Sequence, residues 1–153
     1  MSLREQLNAD LKTALKAKDQ MTMSTIRLIV AAIKERDIAE RGKGHAEGIG
    51  EGEILSLLQT MIKQRRESAN IYREGGRPEL AEREDCEVEI IERFLPKQMN
   101  DNELSDAISS LIEETGANSI KDMGKIMGAL KSKYAGQVDM TRAGAVVKEK
   151  LVG

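Results

Sequence analysis

The chain has 153 residues, with 24 Lys plus Arg against 26 Asp plus Glu and a formal charge of −2 at pH 7, which sets one domain or two small ones. Forty per cent apolar residues suffice for a core, and 33% charged residues of both signs exclude a disordered or membrane-embedded chain. With no Trp, one Phe, two Tyr, one Cys and one His, the composition argues against a reader that stacks single-stranded bases. It also excludes an internal disulfide, a Cys/His zinc site and any Ser-His-Asp triad that does not use His45.

Residues 1–19 alternate charges with leucines and hold no unbroken apolar stretch, which argues against a signal peptide or membrane span there; their acidic residues argue against a transit peptide. Ser2 to Glu5 forms an S-x-x-E capping box, and Leu3, Leu7, Leu11 and Leu15 recur every four residues, predicting a first helix. Met23, Ile26, Val30 and Ile33 keep that period and predict a second, from Met21 to about Arg41. Gly42, Gly44, Gly48, Gly50 and Gly52 then interrupt regular structure, and the segment reads as a mobile connector. A third helix is predicted from about Glu53 to Glu74, with Gly75 in the C′ position. Pro78 suits the first position of a fourth, which continues to Arg93 and is ended by Phe94-Leu95-Pro96. Asn100 to Glu103 caps a fifth helix that Gly116 stops, Ser119 precedes a sixth reaching about Tyr134, and Asp139 can cap a seventh from Met140 to Leu151. No segment alternates with period two. The expected fold is all-α, a four-helix domain over 1–97 followed by a three-helix domain over 98–153.

Familiar chemical motifs are incomplete. The glycine-rich segment has neither G-x-x-x-x-G-K-S/T nor G-x-G-x-x-G, and no strand precedes it, so it is not read as a phosphate cradle. His45-Ala46-Glu47 has the H-x-E spacing of a zinc deaminase without the P-C-x-x-C that supplies the other ligands, and His45 is expected in solvent. Glu84 and Glu87 give E-x-x-E on the fourth helix, whereas a bundle di-iron site needs E-x-x-H pairs. No metal, cofactor or catalytic residue is expected. Cys86, flanked by Asp85 and Glu87, lacks the electropositive setting of a reactive thiolate, and the expected compartment is a reducing cytoplasm.

Projected at about 100° per residue, the third helix has an apolar arc of Ile54, Leu58, Met61, Ile62, Ser68 and Tyr72 with Arg65 near its centre. The arc of the fourth, Leu80, Val88, Ile91 and Leu95, contains Glu84 and Glu87. In an antiparallel hairpin turning at Gly75-Gly76, Arg65 lies about 15 Å from the turn and Glu87 about 14 Å, at 1.5 Å per residue. A partly buried pair of Arg65 with Glu87 is expected, Glu84 being the alternative, and its simplest role is to register the hairpin. Lys63 projects to the solvated face and Arg66 to the flank, so these two are the charges of that helix available to a partner.

The tail is electrically lopsided. Residues 98–120 carry five acids and no base, whereas 121–153 carry seven bases and three acids, a difference of +4. The sixth helix turns Ile120, Met123, Ile126, Met127, Leu130 and Tyr134 to its core, leaving Gly124 and Gly128 on the polar arc beside Lys121, Lys125 and Lys131. Each interior glycine costs a helix about 1 kcal/mol relative to Ala, so the pair implies close approach of something. Two readings stand: helix five or seven packed on the glycines, or a partner's backbone, nucleic acid phosphate included, laid along the strip.

Lys63-Gln64-Arg65-Arg66-Glu67-Ser68, then Gly76-Arg77-Pro78-Glu79-Leu80-Ala81 with Glu84 and Glu87, then Phe94-Leu95-Pro96, and in the tail Asp122-Met123-Gly124-Lys125-Ile126-Met127-Gly128-Ala129-Leu130-Lys131, together resemble the YqeY family across essentially the whole chain. That family is similar to the tail of the B subunit of the glutamine-dependent amidotransferase acting on misacylated tRNA, and to domains appended to some glutaminyl-tRNA synthetases. The resemblance implies a helical domain followed by a small three-helix GatB/YqeY-type domain that holds tRNA. It also implies a link to carbon-nitrogen ligase activity with glutamine as amide donor, without that enzyme's catalytic centres. One departure stands out: the family's turn of the form G-R/K-x-D-G reads Gly136-Gln137-Val138-Asp139-Met140 here, losing a base and a glycine.

The resulting expectation is a tRNA-binding accessory module with no catalytic centre, gripping phosphates through Lys121, Gly124, Lys125, Gly128, Lys131, Lys133, Arg142 and Lys148. An aminoacyl-tRNA synthetase or amidotransferase is the expected protein partner, with no membrane and no DNA. The alternative is a protein-interaction adaptor docking on such an enzyme through the glycine strip or through Lys63 and Arg66. A stand-alone amide-transfer enzyme is disfavoured, because no nucleophile and base can be assembled.

Overall fold

The computed structural model describes residues 1–152, and every regular element among them is helical: α1 (Leu3–Ala17), α2 (Gln20–Gly42), α3 (Glu51–Glu74), α4 (Pro78–Glu92), α5 (Asp101–Thr115), a single 3-10 turn (Ile120–Asp122), α6 (Met123–Lys133) and α7 (Met140–Val152). The fold is all-α. Contacts divide it into two compact units, Met1–Leu95 holding α1 to α4 and a second from Pro96 onward holding α5 to α7.

In the first unit Ser2 caps α1 by accepting the Glu5 amide at 3.2 Å. Leu3 and Leu7 are buried, but Leu15 is 58% exposed and Ala14 takes the inward position. A four-residue repeat drifts about 40° per step on a helix of 3.6 residues per turn, so after three steps the leucine stripe has left the core. Lys18 adopts the left-handed conformation at φ 58°, and Asp19 begins α2 by accepting the Thr22 amide at 3.1 Å and its hydroxyl at 2.7 Å. Ile26, Ile29, Ile54, Leu58 and Ile91 are almost fully buried where α2, α3 and α4 meet. Each stabilises the unit by about 1.5–3 kcal/mol relative to exposure.

The glycine-rich segment departs from the mobile connector expected of it, and Gly52 lies inside α3. Asp37, 5% exposed on α2, receives a two-pronged contact from Arg4, Nη1 to Oδ2 and Nη2 to Oδ1, each 2.8 Å. Asp37 Oδ1 also accepts the Ile49 amide at 2.9 Å, while Arg4 Nη2 donates to the Ile49 carbonyl at 2.9 Å. Gly48 has φ +80°, and any Cβ there would overlap the Asp37 carboxylate. The Leu3 amide donates to Glu51 at 3.0 Å. The end of the segment is therefore latched, and the Arg4 contact holds the Asp37 carboxyl down at about 2. Glycine content records where backbone can turn, not whether polar partners then fasten it.

The second unit folds around Leu104, Ile108, Ile126, Leu130, Ala143 and Val147. Asn100 and Glu103 form a reciprocal capping box on α5, and Gly116 ends that helix at φ 70°. Asp139 accepts the Thr141 and Arg142 amides at 2.9 and 3.3 Å and so opens α7.

Candidate functional site

Residues 120–133 carry the surface of interest. Ile120, assigned to the core face by projection at 100° per residue, is 45% exposed, because Ile120–Asp122 form a 3-10 turn that advances about 120° per residue. From Met123 the α-helical projection holds: Ile126 and Leu130 are buried, with Met123, Met127 and Tyr134 packed against the core.

Gly124 and Gly128 are both exposed, and a Cβ built on either meets no atom within 4 Å. Neither α5 nor α7 packs on them, which removes the first of the two readings. On the opposite, core-facing side of α6 a Cβ at Gly144 of α7 would lie 3.7 Å from the terminal methyls of Met123 and Met127, an ordinary packing contact. Lys121, Lys125 and Lys131 are exposed beside the bare strip, and none forms an ion pair among the described residues. The result is a stretch of uncovered helical backbone bordered by ammonium groups that are free to meet an anion.

The other tail bases are placed differently. The Lys133 ammonium lies over the Tyr134 ring at 5.7 Å from its centroid. Arg142 pairs with Asp101 across α7 and α5, so meeting a phosphate would first require breaking that pair. Lys148 is exposed on α7. The turn that departs from the family pattern is fastened within the second unit. Gly136 takes φ 75° and its carbonyl accepts from Gln98 Nε2 at 2.5 Å, while the Gln137 carbonyl accepts the Met99 amide at 2.9 Å.

In the first unit, Arg65 Nε donates to Glu87 Oε2 at 2.8 Å and Nη1 to the Met61 carbonyl at 3.2 Å. The two paired side chains are 15% and 11% exposed. Glu84 lies beside them half-buried; desolvation, then the Glu87 charge, push its carboxyl above the ordinary range, with Arg65 opposing. Lys63 is exposed and forms no ion pair among the described residues. Arg66, expected to be available to a partner, is instead tied to Glu92 at 2.5 Å, because α4 brings an acid alongside the flank that a single-helix projection leaves open. His45 is largely exposed, with Nδ1 2.6 Å from Glu40. Among the described residues no three His, Cys, Asp or Glu side chains gather as a metal site, and no helix is long and apolar enough to cross a membrane.

The feature that sequence reasoning missed is the Arg4–Asp37–Ile49 latch. Its signal was present: Asp37 stands four residues after Ile33, on the buried arc of α2, where a carboxylate demands a partner.

The profile of Yqey-like proteins matches residues 4–151. The chain is 33% identical over 110 residues to altered inheritance of mitochondria protein 41 of Lachancea thermotolerans, covering 71% of this chain and 57% of that protein. It is 34% identical over 119 residues to the protein of that name from Clavispora lusitaniae, covering 76% and 66%. With the Saccharomyces cerevisiae protein it shares 33% over 98 residues, covering 64% and 51%. The chain thus spans about half to two-thirds of the length of these curated relatives. All three are named as mitochondrial, which overturns the expectation of a cytoplasmic protein and points to mitochondria instead. A free thiol reports the absence of an internal disulfide, and reducing compartments other than the cytoplasm satisfy it equally. With 148 of its 153 residues inside the profile, from Arg4 to Leu151, the chain is a small helical accessory domain that belongs to the YqeY family.

Proposed function

We propose that this protein is a tRNA-binding accessory module without a catalytic centre, serving a glutamine-dependent amidotransferase or an aminoacyl-tRNA synthetase. The observation that carries the reading is the open glycine strip of α6, edged by the unpaired Lys121, Lys125 and Lys131. A helix keeps such a strip at a propensity cost, and exposed backbone lets a phosphate chain approach more closely than side chains would allow. Lys133 and Lys148 add positive charge, and Arg142 adds to it once released from Asp101. With a net charge of −2 and few aromatics, recognition works through backbone charge and shape rather than base stacking. The link to carbon-nitrogen ligation comes from the family's similarity to the amidotransferase tail; the ligation itself is assigned to the partner enzyme.

The test is fluorescence anisotropy of the purified chain with bulk tRNA and with duplex DNA of equal length, at low and physiological salt. Saturable binding that prefers tRNA is expected, with Kd of about 10⁻⁴ to 10⁻⁶ M at physiological salt. Lys125→Glu with Lys131→Glu should weaken it and flatten the salt slope by about 2. Absence of binding at low salt, or affinity unchanged by the double reversal, refutes the assignment. A protein partner captured after nuclease treatment would then favour the adaptor reading.

A further inference from the structure

A cleft of about 290 Å³ opens in the first unit where the second half of α1, the start of α2 and the end of α4 come together. Its floor is apolar: Ala14, Ile26 and Phe94 are 5%, 0% and 4% exposed. Its rim carries Asp10 from α1 and Arg93, the residue that follows α4. These two opposite charges line one cleft, and among the described residues neither side chain forms a hydrogen bond or an ion pair within 4.0 Å, although the Arg93 charge acts through space on Asp19 and helps to hold that carboxyl low. Arg66 pairs with Glu92, Arg73 with Asp85 and Arg142 with Asp101, whereas Arg27, Arg36 and Arg83, like Arg93, form no ion pair among the described residues. The third charge at the rim, Asp19, is occupied in capping α2 with two hydrogen bonds from Thr22. The cleft therefore offers, around an apolar floor, the Asp10 carboxylate and the Arg93 guanidinium, neither of them held by a side-chain hydrogen bond or close ion pair among the described residues.

We propose that this cleft binds a free α-amino acid with an apolar side chain, its ammonium on Asp10, its carboxylate on Arg93 and its side chain over Ala14, Ile26 and Phe94. A zwitterion is the ligand class that satisfies both charges at once. An interior peptide residue has neither charge, a simple amine leaves Arg93 idle, and a simple acid leaves Asp10 idle. The planar guanidinium matches a carboxylate with two parallel hydrogen bonds, which a lysine could not do. At the small end of the range for ligand sites, about 300–1,000 Å³, the volume suits one amino acid rather than a nucleotide cofactor. The site lies on α1, α2 and α4 and does not rest on the RNA reading of α6.

The experiment is an NMR titration of the full, isotope-labelled chain with L-leucine, with isoamylamine, which lacks the carboxylate, and with isocaproate, which lacks the ammonium. Leucine should give saturable shifts of the Ala14, Thr22 and Phe94 amides, with a dissociation constant on the order of 1 mM. Each single-charge analogue should bind at least about tenfold more weakly, the factor expected for one lost hydrogen bond to a charged group. Arg93→Gln and Asp10→Asn alter side chains outside the core, so they should keep the unfolding midpoint while each weakens leucine binding about tenfold. No saturable shift with leucine, equal binding of isoamylamine or isocaproate, or full affinity in either variant overturns the proposal.

Discussion

Replacing Arg65 with alanine tests how the α3–α4 hairpin is held in register. The guanidinium is 15% exposed and meets a Glu87 carboxylate that is 11% exposed, so solvent cannot step in when it is removed. Glu87 would be stranded beside the half-buried Glu84, two carboxylates without the cation that separates their effects. Breaking a buried pair from one side costs about 3–5 kcal/mol. With a urea m-value of about 2 kcal/mol/M, that lowers the unfolding midpoint of this unit by about 1.5–2.5 M. Because the chain has two compact units, the probe must report on the first alone. In a Tyr134→Phe background, Tyr72 on α3 is the sole remaining tyrosine, and its fluorescence serves. The paired replacement Arg65→Met with Glu87→Leu should recover most of the loss, since an apolar pair of similar volume carries no desolvation cost. A midpoint unmoved in Arg65→Ala, or a double variant as weak as the single one, would refute the argument that the charge is held by its partner.

Alanine at both Gly124 and Gly128 meets open space, so helix propensity should raise the stability of the second unit by about 1 kcal/mol per site while tRNA affinity falls. Calorimetry and anisotropy on the same sample read both, and stability gained with affinity kept would remove the strip from the binding surface. Thr25 is 0% exposed and its hydroxyl has no hydrogen-bond partner among the described residues, so Thr25→Val should stabilise the first unit by about 1 kcal/mol, read as a higher urea midpoint. Asp37 titrates at about 2 when folded against 3.8 when unfolded, so its contribution is fully present above 3.8 and is lost as pH falls through about 2. The difference corresponds to at most about 2.4 kcal/mol, and solvent screening at Arg4, 39% exposed, reduces this to about 1 kcal/mol. The Ile49 amide resonance, bonded to Asp37, should move with a midpoint near 2; a midpoint at 3.8 would show that the latch does not form.

The helices were legible because their signals are local: the Asn100–Glu103 box, Pro78 at a first turn and Gly116 past a last one each act within a few residues. Arg65 was legible for a related reason, since a charge in the middle of an apolar arc needs an answering group and hairpin depth limits where that group can be. What escaped the sequence depends on what another element brings. Arg66 and Arg142 read as free charges until α4 supplies Glu92 and α5 supplies Asp101. Ile120 reads as core until the helix tightens by one hydrogen-bond register. Bareness at Gly124 and Gly128 cannot be separated from tight packing by composition, because glycine suits both; the separation requires the positions of α5 and α7.

The latch around Asp37 also bears on the order in which the first unit comes together. Leu3 and Glu51 are separated by 48 positions, whereas the Arg65–Glu87 contact spans 22. Closing the longer loop costs about 0.7 kcal/mol more chain entropy, before any contact along it rewards the closure. The α3–α4 hairpin has the cheaper beginning and carries the Arg65, Arg66 and Arg73 pairs along its length. Chain entropy thus favours early hairpin assembly, with Arg4 arriving late to clasp a scaffold already standing.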